Sequence, residues 1–182
     1  RAQQLGVEEE LKLYVEPLCS PTTRTPSEQW EDLDKRVWKW LQEPIDDSRV
    51  CLVHGRSGSG KSLFTSRLLA DLWRRYQRGG AAPLHISLPS VAGDPAKVAV
   101  SSIMSSVCGL SMDEAAEREW IVILDGYDEI RGNVNLIKGN DIATQLPHAK
   151  IIVTCRTEYL DAKGGGYATL FEDGMSRLTQ VY

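Results

Sequence analysis

Apolar and polar positions along the chain change period several times, and each change marks an element. Val50-Cys-Leu-Val-His54, Leu84-His-Ile-Ser-Leu88, Trp120-Ile-Val-Ile-Leu124 and Lys150-Ile-Ile-Val-Thr154 are short apolar runs of strand length. The third is apolar throughout, as a strand covered on both faces is. Leu178 to Tyr182 alternates and predicts a fifth strand. Between these runs the period lengthens to that of a helix. Lys61 to about Gln77 places Leu63, Phe64, Leu68, Leu69, Leu72, Trp73 and Tyr76 on an inner side and stops at Gly79-Gly80. Asp94-Pro95 opens a second helix that Gly109 ends. Ser111-Met-Asp-Glu114 is a capping box starting a short acidic helix, and a helix or loop spans about 130 to 146. Strands alternating with helices predict an α/β fold with a parallel sheet and ligands at the carboxyl ends of its strands.

Ahead of the first strand the pattern is different. Residues 1–25 are polar and mixed, with a short apolar set at Leu11, Leu13, Tyr14 and Val15 and a turn-rich stretch from Pro17 to Pro26. Thr25-Pro26-Ser27-Glu28 carries helix-start signals, and Trp30, Leu33, Val37 and Leu41 form one stripe that Trp38 and Trp40 widen. Such a stripe reads as a helix docked on the core, ending by Pro44.

Composition narrows the class without naming a chemistry. The 182 residues suffice for one domain with a hydrophobic core, and 42% hydrophobic with 25% charged residues is ordinary for a globular chain. A net charge of −4 argues against a broad nucleic-acid surface; the densest basic cluster, Arg74, Arg75 and Arg78, lies on a helical pattern and reads as a solvated face. No apolar run reaches membrane-spanning length, and the first residues show no signal-like apolar stretch. Cys19, Cys51, Cys108 and Cys155 show no metal or redox spacing and read as reduced thiols of a cytoplasmic protein. The chain starts without Met and stops on an apolar alternation, so it reads as a fragment of a longer protein.

The chemistry concentrates at three strand ends. Gly55-Arg56-Ser57-Gly58-Ser59-Gly60-Lys61-Ser62 joins the first strand to its helix and fits G-x-x-x-x-G-K-[ST] throughout. Inward backbone N–H groups at the positive end of a helix solvate a polyphosphate, and glycines allow the angles and the close approach. Lys61 is the residue for the β- and γ-phosphates, and the Ser62 hydroxyl for Mg²⁺. After the third strand, Asp125-Gly126-Tyr127-Asp128-Glu129 crowds three carboxylates. Asp125 is the candidate for Mg²⁺, and Asp128 or Glu129 for orienting an attacking water. Arg156, after the fourth strand, is a candidate sensor of the γ-phosphate; the alternative is a surface pair with Glu158. His54 reads as packing, and His85 and His148 receive no role.

The trio GRSGSGKS, WIVILDGYDE and IIVTCRTEYL resembles the NACHT group of STAND P-loop NTPases, over about residues 48–182. The second motif is the specific one, because Gly126 stands where many related ATPases place a catalytic Glu. The resemblance implies a three-layer α/β/α P-loop core with a central parallel sheet of about five strands, an additional strand, and the loop strand in the middle. It also implies slow ATP hydrolysis and a switch between ADP-bound closed and ATP-bound open, oligomeric states, with self-assembly or other partners engaged through segments outside this chain. Residues 1–47, which carry none of the resemblance, are expected to be a linker and flanking helix before a nucleotide-binding domain, residues 48–182, truncated at its C-terminal end. No base-reading Asn-Lys-x-Asp occurs, so ATP rather than GTP is the expected nucleotide. Two alternatives stay open: a P-loop kinase with Lys163–Tyr167 as a mobile loop, and a nucleotide-binding scaffold without turnover.

Overall fold

In the computed structural model, residues 17–20, 31–45, 49–91, 94–130, 135–162 and 175–181 are described. Their strands form one sheet in the spatial order β2-β1-β7-β3-β6-β5-β4, where β1 is Leu18–Ser20, β2 Glu31–Asp32, β3 Val50–Gly55, β4 Ala82–Ser87, β5 Trp120–Asp125, β6 Ala149–Arg156 and β7 Met175–Val181. The five strands from β7 to β4 run parallel, and β3 is the fourth, central strand of the seven. β6 is inserted between β3 and β5, pairing Val50 with Ile151 on one side and Trp120 with Ala149 on the other. β1 and β2 extend the sheet antiparallel beyond β7. Pro83, which has no N–H to give a ladder, sits in β4 at the edge of this sheet.

Period-2 alternation divides each buried strand between two cores. Val50 and Leu52 of β3, Val122 and Leu124 of β5, and Ile151 and Val153 of β6 face one side. Cys51 and Val53, Ile123, and Ile152 face the other. Against the second face pack α1 (Leu33–Gln42) through Leu33, Val37 and Trp40, and α2 (Lys61–Arg75) through Phe64, Leu68 and Leu72. Against the first lie α3 (Pro95–Ser106), α4 (Met112–Ala116), α5 (Leu136–Gly139), α6 (Ile142–Gln145) and α7 (Thr157–Ala162), supplying Val100, Met104, Ala115, Leu136, Ile142 and Leu160. This is the expected three-layer α/β/α arrangement. The Ser111 capping box is present at α4, with the Glu114 carboxylate accepting the Ser111 N–H at 2.8 Å.

Several expectations shift. The helix signals at Thr25–Glu28 and Trp30 lie outside the described residues, as do Leu11–Val15, Lys163–Tyr167 and Tyr182. Glu31–Asp32 are extended, because they pair with Leu18 and Cys19, so α1 begins only at Leu33. The stretch expected to be turn-rich from Pro17 contains β1, held by backbone bonds to β2 and β7 rather than by an apolar pattern of its own. α2 ends at Arg75, and Trp73 and Tyr76 are exposed, not internal; they meet edge-to-face at 5.4 Å outside the core. Leu88 leaves β4 and starts a 3₁₀ turn, Leu88–Ser90.

Candidate functional site

The loop after β3 is shaped by two left-handed residues, Gly58 (φ 78°) and Gly60 (φ 83°). A side chain at either would be strained by the backbone angle alone, since no protein atom lies within 4 Å of the Cβ position. Gly55 differs from the expectation: it is an ordinary strand residue, paired with Arg156 and Val181. Gly60 caps the 15-residue α2 without a side-chain hydrogen bond, and the first turn carries no acidic residue. The positive end of the helix therefore opens onto the loop.

Lys61 Nζ donates to the carbonyls of Gly55 (2.8 Å) and Arg56 (2.9 Å) and reaches Ser59 Oγ at 3.4 Å. Burial lowers its pKa, the Asp128 carboxylate opposes that shift, and Arg156 adds to it. Ser62 is exposed at the first turn of α2.

Asp125 ends β5, and its Oδ1 accepts a hydrogen bond from Thr154 Oγ1 of β6. The same hydroxyl accepts the Gly126 N–H at 2.9 Å. Gly126 is left-handed (φ 85°), with Pro89 Cδ 3.3 Å from where a Cβ would stand, so the turn after the strand requires glycine twice over. It leads into the 3₁₀ turn Tyr127–Glu129. There Asp128 gives both oxygens to Arg156: Oδ1 accepts the backbone N–H at 2.9 Å, and Oδ2 pairs with Nε at 2.9 Å. Glu129 Oε1 lies farther off, 3.8 Å from Arg156 Nη2. The Arg156 partner is thus Asp128 across the strand ends, where the sequence left a Glu158 pair open.

One cavity of about 270 Å³ gathers these groups, lined by Ser57, Gly58, Ser59, Gly60, Lys61, Ser62 and Leu63, by Asp125, Gly126, Asp128 and Glu129, and by Thr154 and Arg156. Every candidate residue lines it except Gly55, whose carbonyl accepts from Lys61 Nζ. Thr154 carries little signal in the sequence beyond a hydroxyl that follows Ile151-Ile152-Val153, two positions before Arg156. His85 Nε2 lies 4.0 Å from Asp125 Oδ2, and burial lowers its pKa against the pull of that carboxylate. His54 is buried behind the loop with Nδ1 3.0 Å from Thr157 Oγ1, as a packing residue should be. All four cysteines are free, and burial, with Asp128 contributing, pushes the Cys155 thiol up to about 12.

The donor set fits a magnesium ion. Mg²⁺ takes one or two carboxylates together with phosphate oxygens and water, and Asp125 and the Ser62 hydroxyl face the same cavity. Among the described residues there is no cluster of three or more His, Cys, Asp or Glu that could hold a metal ion.

A left-handed glycine loop between a central parallel strand and its helix, opposed by an acidic strand end two strands away, defines a nucleotide-binding P-loop NTPase domain. Residues 49–176 match the NACHT domain, and the chain belongs to that family. No curated protein matches the chain. Among solved structures, the cytoplasmic domain of the Thermomonospora curvata Type VII secretion ATPase EccC is similar at 16% identity and a TM-score of 0.46, over 80% of this chain. The match spans only 19% of that chain, and the family rests on the NACHT match instead. No helix among the described residues is long and apolar enough to cross a membrane.

Proposed function

We propose that residues 48–182 form an ATP-binding, Mg²⁺-dependent switch domain with slow hydrolysis, acting in the cytoplasm. The observation that carries this reading is the Asp128–Arg156 pair, placed on the wall of the cavity that the phosphate loop and Asp125 also line. The Arg156 guanidinium, paired with Asp128 and with Glu129 farther off, lines the phosphate cavity and could exchange Asp128 for a γ-phosphate. That exchange would report whether the nucleotide is a triphosphate.

In this reading the N–H groups of Ser57–Ser62 cradle the phosphates, and Lys61 leaves the loop carbonyls to bridge the β- and γ-phosphates. Ser62 and Asp125 would hold Mg²⁺, which when bound neutralises charge on those phosphates. Asp128 is engaged on both oxygens by Arg156, which supports Glu129 as the group that orients water and Asp128 as the holder of the sensor. Assembly with further copies or other proteins, through segments outside this chain, is the output this reading implies.

The test is equilibrium binding of a fluorescent ATP analogue with and without Mg²⁺, alongside phosphate release. Lys61→Ala is expected to weaken binding by about 100-fold or more, because it removes a charge-assisted contact to the most highly charged phosphates. Unchanged affinity in that variant rejects the site. Free phosphate should appear without any acceptor, at below about one turnover per second. Transfer to a small acceptor would favour the kinase reading, and binding without any release the scaffold one.

A further inference from the structure

β5 and β6 part company at the site. Their backbone ladder ends at Leu124↔Val153, although β5 continues to Asp125 and β6 to Arg156. β6 meanwhile stays paired with β3 to its end, Val53↔Thr154 through Gly55↔Arg156. At the fork the Thr154 side chain replaces the missing ladder. It is 2% exposed, accepts the Gly126 N–H at 2.9 Å and bonds Asp125 Oδ1 at 2.5 Å.

The second bond runs from the Thr154 hydroxyl to the carboxylate. The hydroxyl takes the Gly126 N–H on a lone pair and gives its one proton to Asp125 Oδ1, which orients the carboxylate. Oδ2 is then the oxygen presented to a cation or its water.

We propose that Thr154 is the positioning residue for Asp125: it holds the carboxylate in register for Mg²⁺, and it ties that carboxylate to the strand that ends in Arg156. This rests on the reading of Asp125 as the Mg²⁺ carboxylate. The bond also links the two halves of the site, since a displacement of β6 at Arg156 is carried through Thr154 to Asp125.

Thr154→Val is nearly the same shape and can neither donate nor accept, whereas Thr154→Ser keeps both abilities. Titrating Mg²⁺ against binding of a fluorescent ATP analogue, Thr154→Val is expected to need about 10- to 100-fold more Mg²⁺ for half-maximal effect, and Thr154→Ser to stay within about threefold of the unmodified protein. Affinity for the same analogue in EDTA should not move in either variant. In the ligand-free protein the Gly126 amide should exchange with solvent faster in Thr154→Val and normally in Thr154→Ser. If Thr154→Val proves unfolded by its melting curve, Thr154→Ala replaces it as the hydroxyl-free variant.

An unaltered Mg²⁺ requirement in the hydroxyl-free variant overturns the proposal. So does a Thr154→Ser protein that behaves like Thr154→Val, because shape rather than the hydroxyl would then be at work. If the unmodified protein binds the analogue independently of Mg²⁺, the reading of Asp125 fails first and this inference with it. That result is distinguishable, because it needs no variant to be seen.

Discussion

Both oxygens of Asp128 go to Arg156, one to the backbone N–H and one to the guanidinium. Two residues joined in this way act as a unit, and removing either removes the same thing. For phosphate release, Asp128→Asn, Arg156→Ala and the double variant should therefore be non-additive, with a coupling of about 1 kcal/mol or more. Effects that add to within about 0.5 kcal/mol would place the two in separate roles. His54 makes a different prediction, about stability. Burial, with Lys61 second, lowers its pKa from 6.5 to about 4. The unfolded chain takes up a proton near pH 6.5 and the folded one only near 4, so between those values the unfolded state binds more protons. Stability is full above that window and falls as pH drops through it. Urea unfolding at pH 7 and pH 4.5 should show the unmodified protein losing about 2 kcal/mol more than His54→Gln. Equal losses would show that His54 is not the source.

Elements differed in how far the chain announces them. β3, β5 and β6 are legible because burial on both faces makes them continuous apolar runs, and α4 because Ser111 and Glu114 close a local capping box. β1 and β2 are not, since three and two residues carry no period and are held by hydrogen bonds to strands distant in the chain. The outward turn of Trp73 and Tyr76 was hidden for a related reason. Phe64, Leu68 and Leu72 already fill the inner stripe at four-residue spacing, and the two rings find each other instead. One element contact was invisible from the sequence altogether. Lys150 in β6 is 5% exposed, and its Nζ donates to the carbonyls of Trp40 and Glu43, each at 2.5 Å, closing the end of α1 above the Trp40 ring. A cation at a helix C-terminus satisfies orphan carbonyls and opposes the dipole. Lys150→Met keeps the aliphatic stem and should cost about 1–3 kcal/mol, read as a lowered melting temperature with nucleotide affinity unchanged. A melting point within a degree of the unmodified protein would show that water serves those carbonyls equally well.

Across the whole molecule, the phosphate loop and the acidic strand end could be read residue by residue because each is one contiguous segment. What joins them could not. Thr154 bonds Asp125 and Gly126 from another strand, and Arg156 meets Asp128 rather than its neighbour Glu158, because the sheet brings β6 beside β5. Of the order of strands, only an additional strand and the central place of the loop strand are implied, and those by family resemblance. That order has a metric consequence. Neighbouring strands stand about 4.8 Å apart, so one interposed strand sets β3 and β5 about 10 Å from each other. β6 thereby serves as a gauge block. It fixes the gap between the loop that takes phosphates and the carboxylate that faces them; bonded to β3 to its end, and to β5 by the ladder as far as Leu124↔Val153 and then by Thr154, it holds that gap against the pull of whatever charge enters.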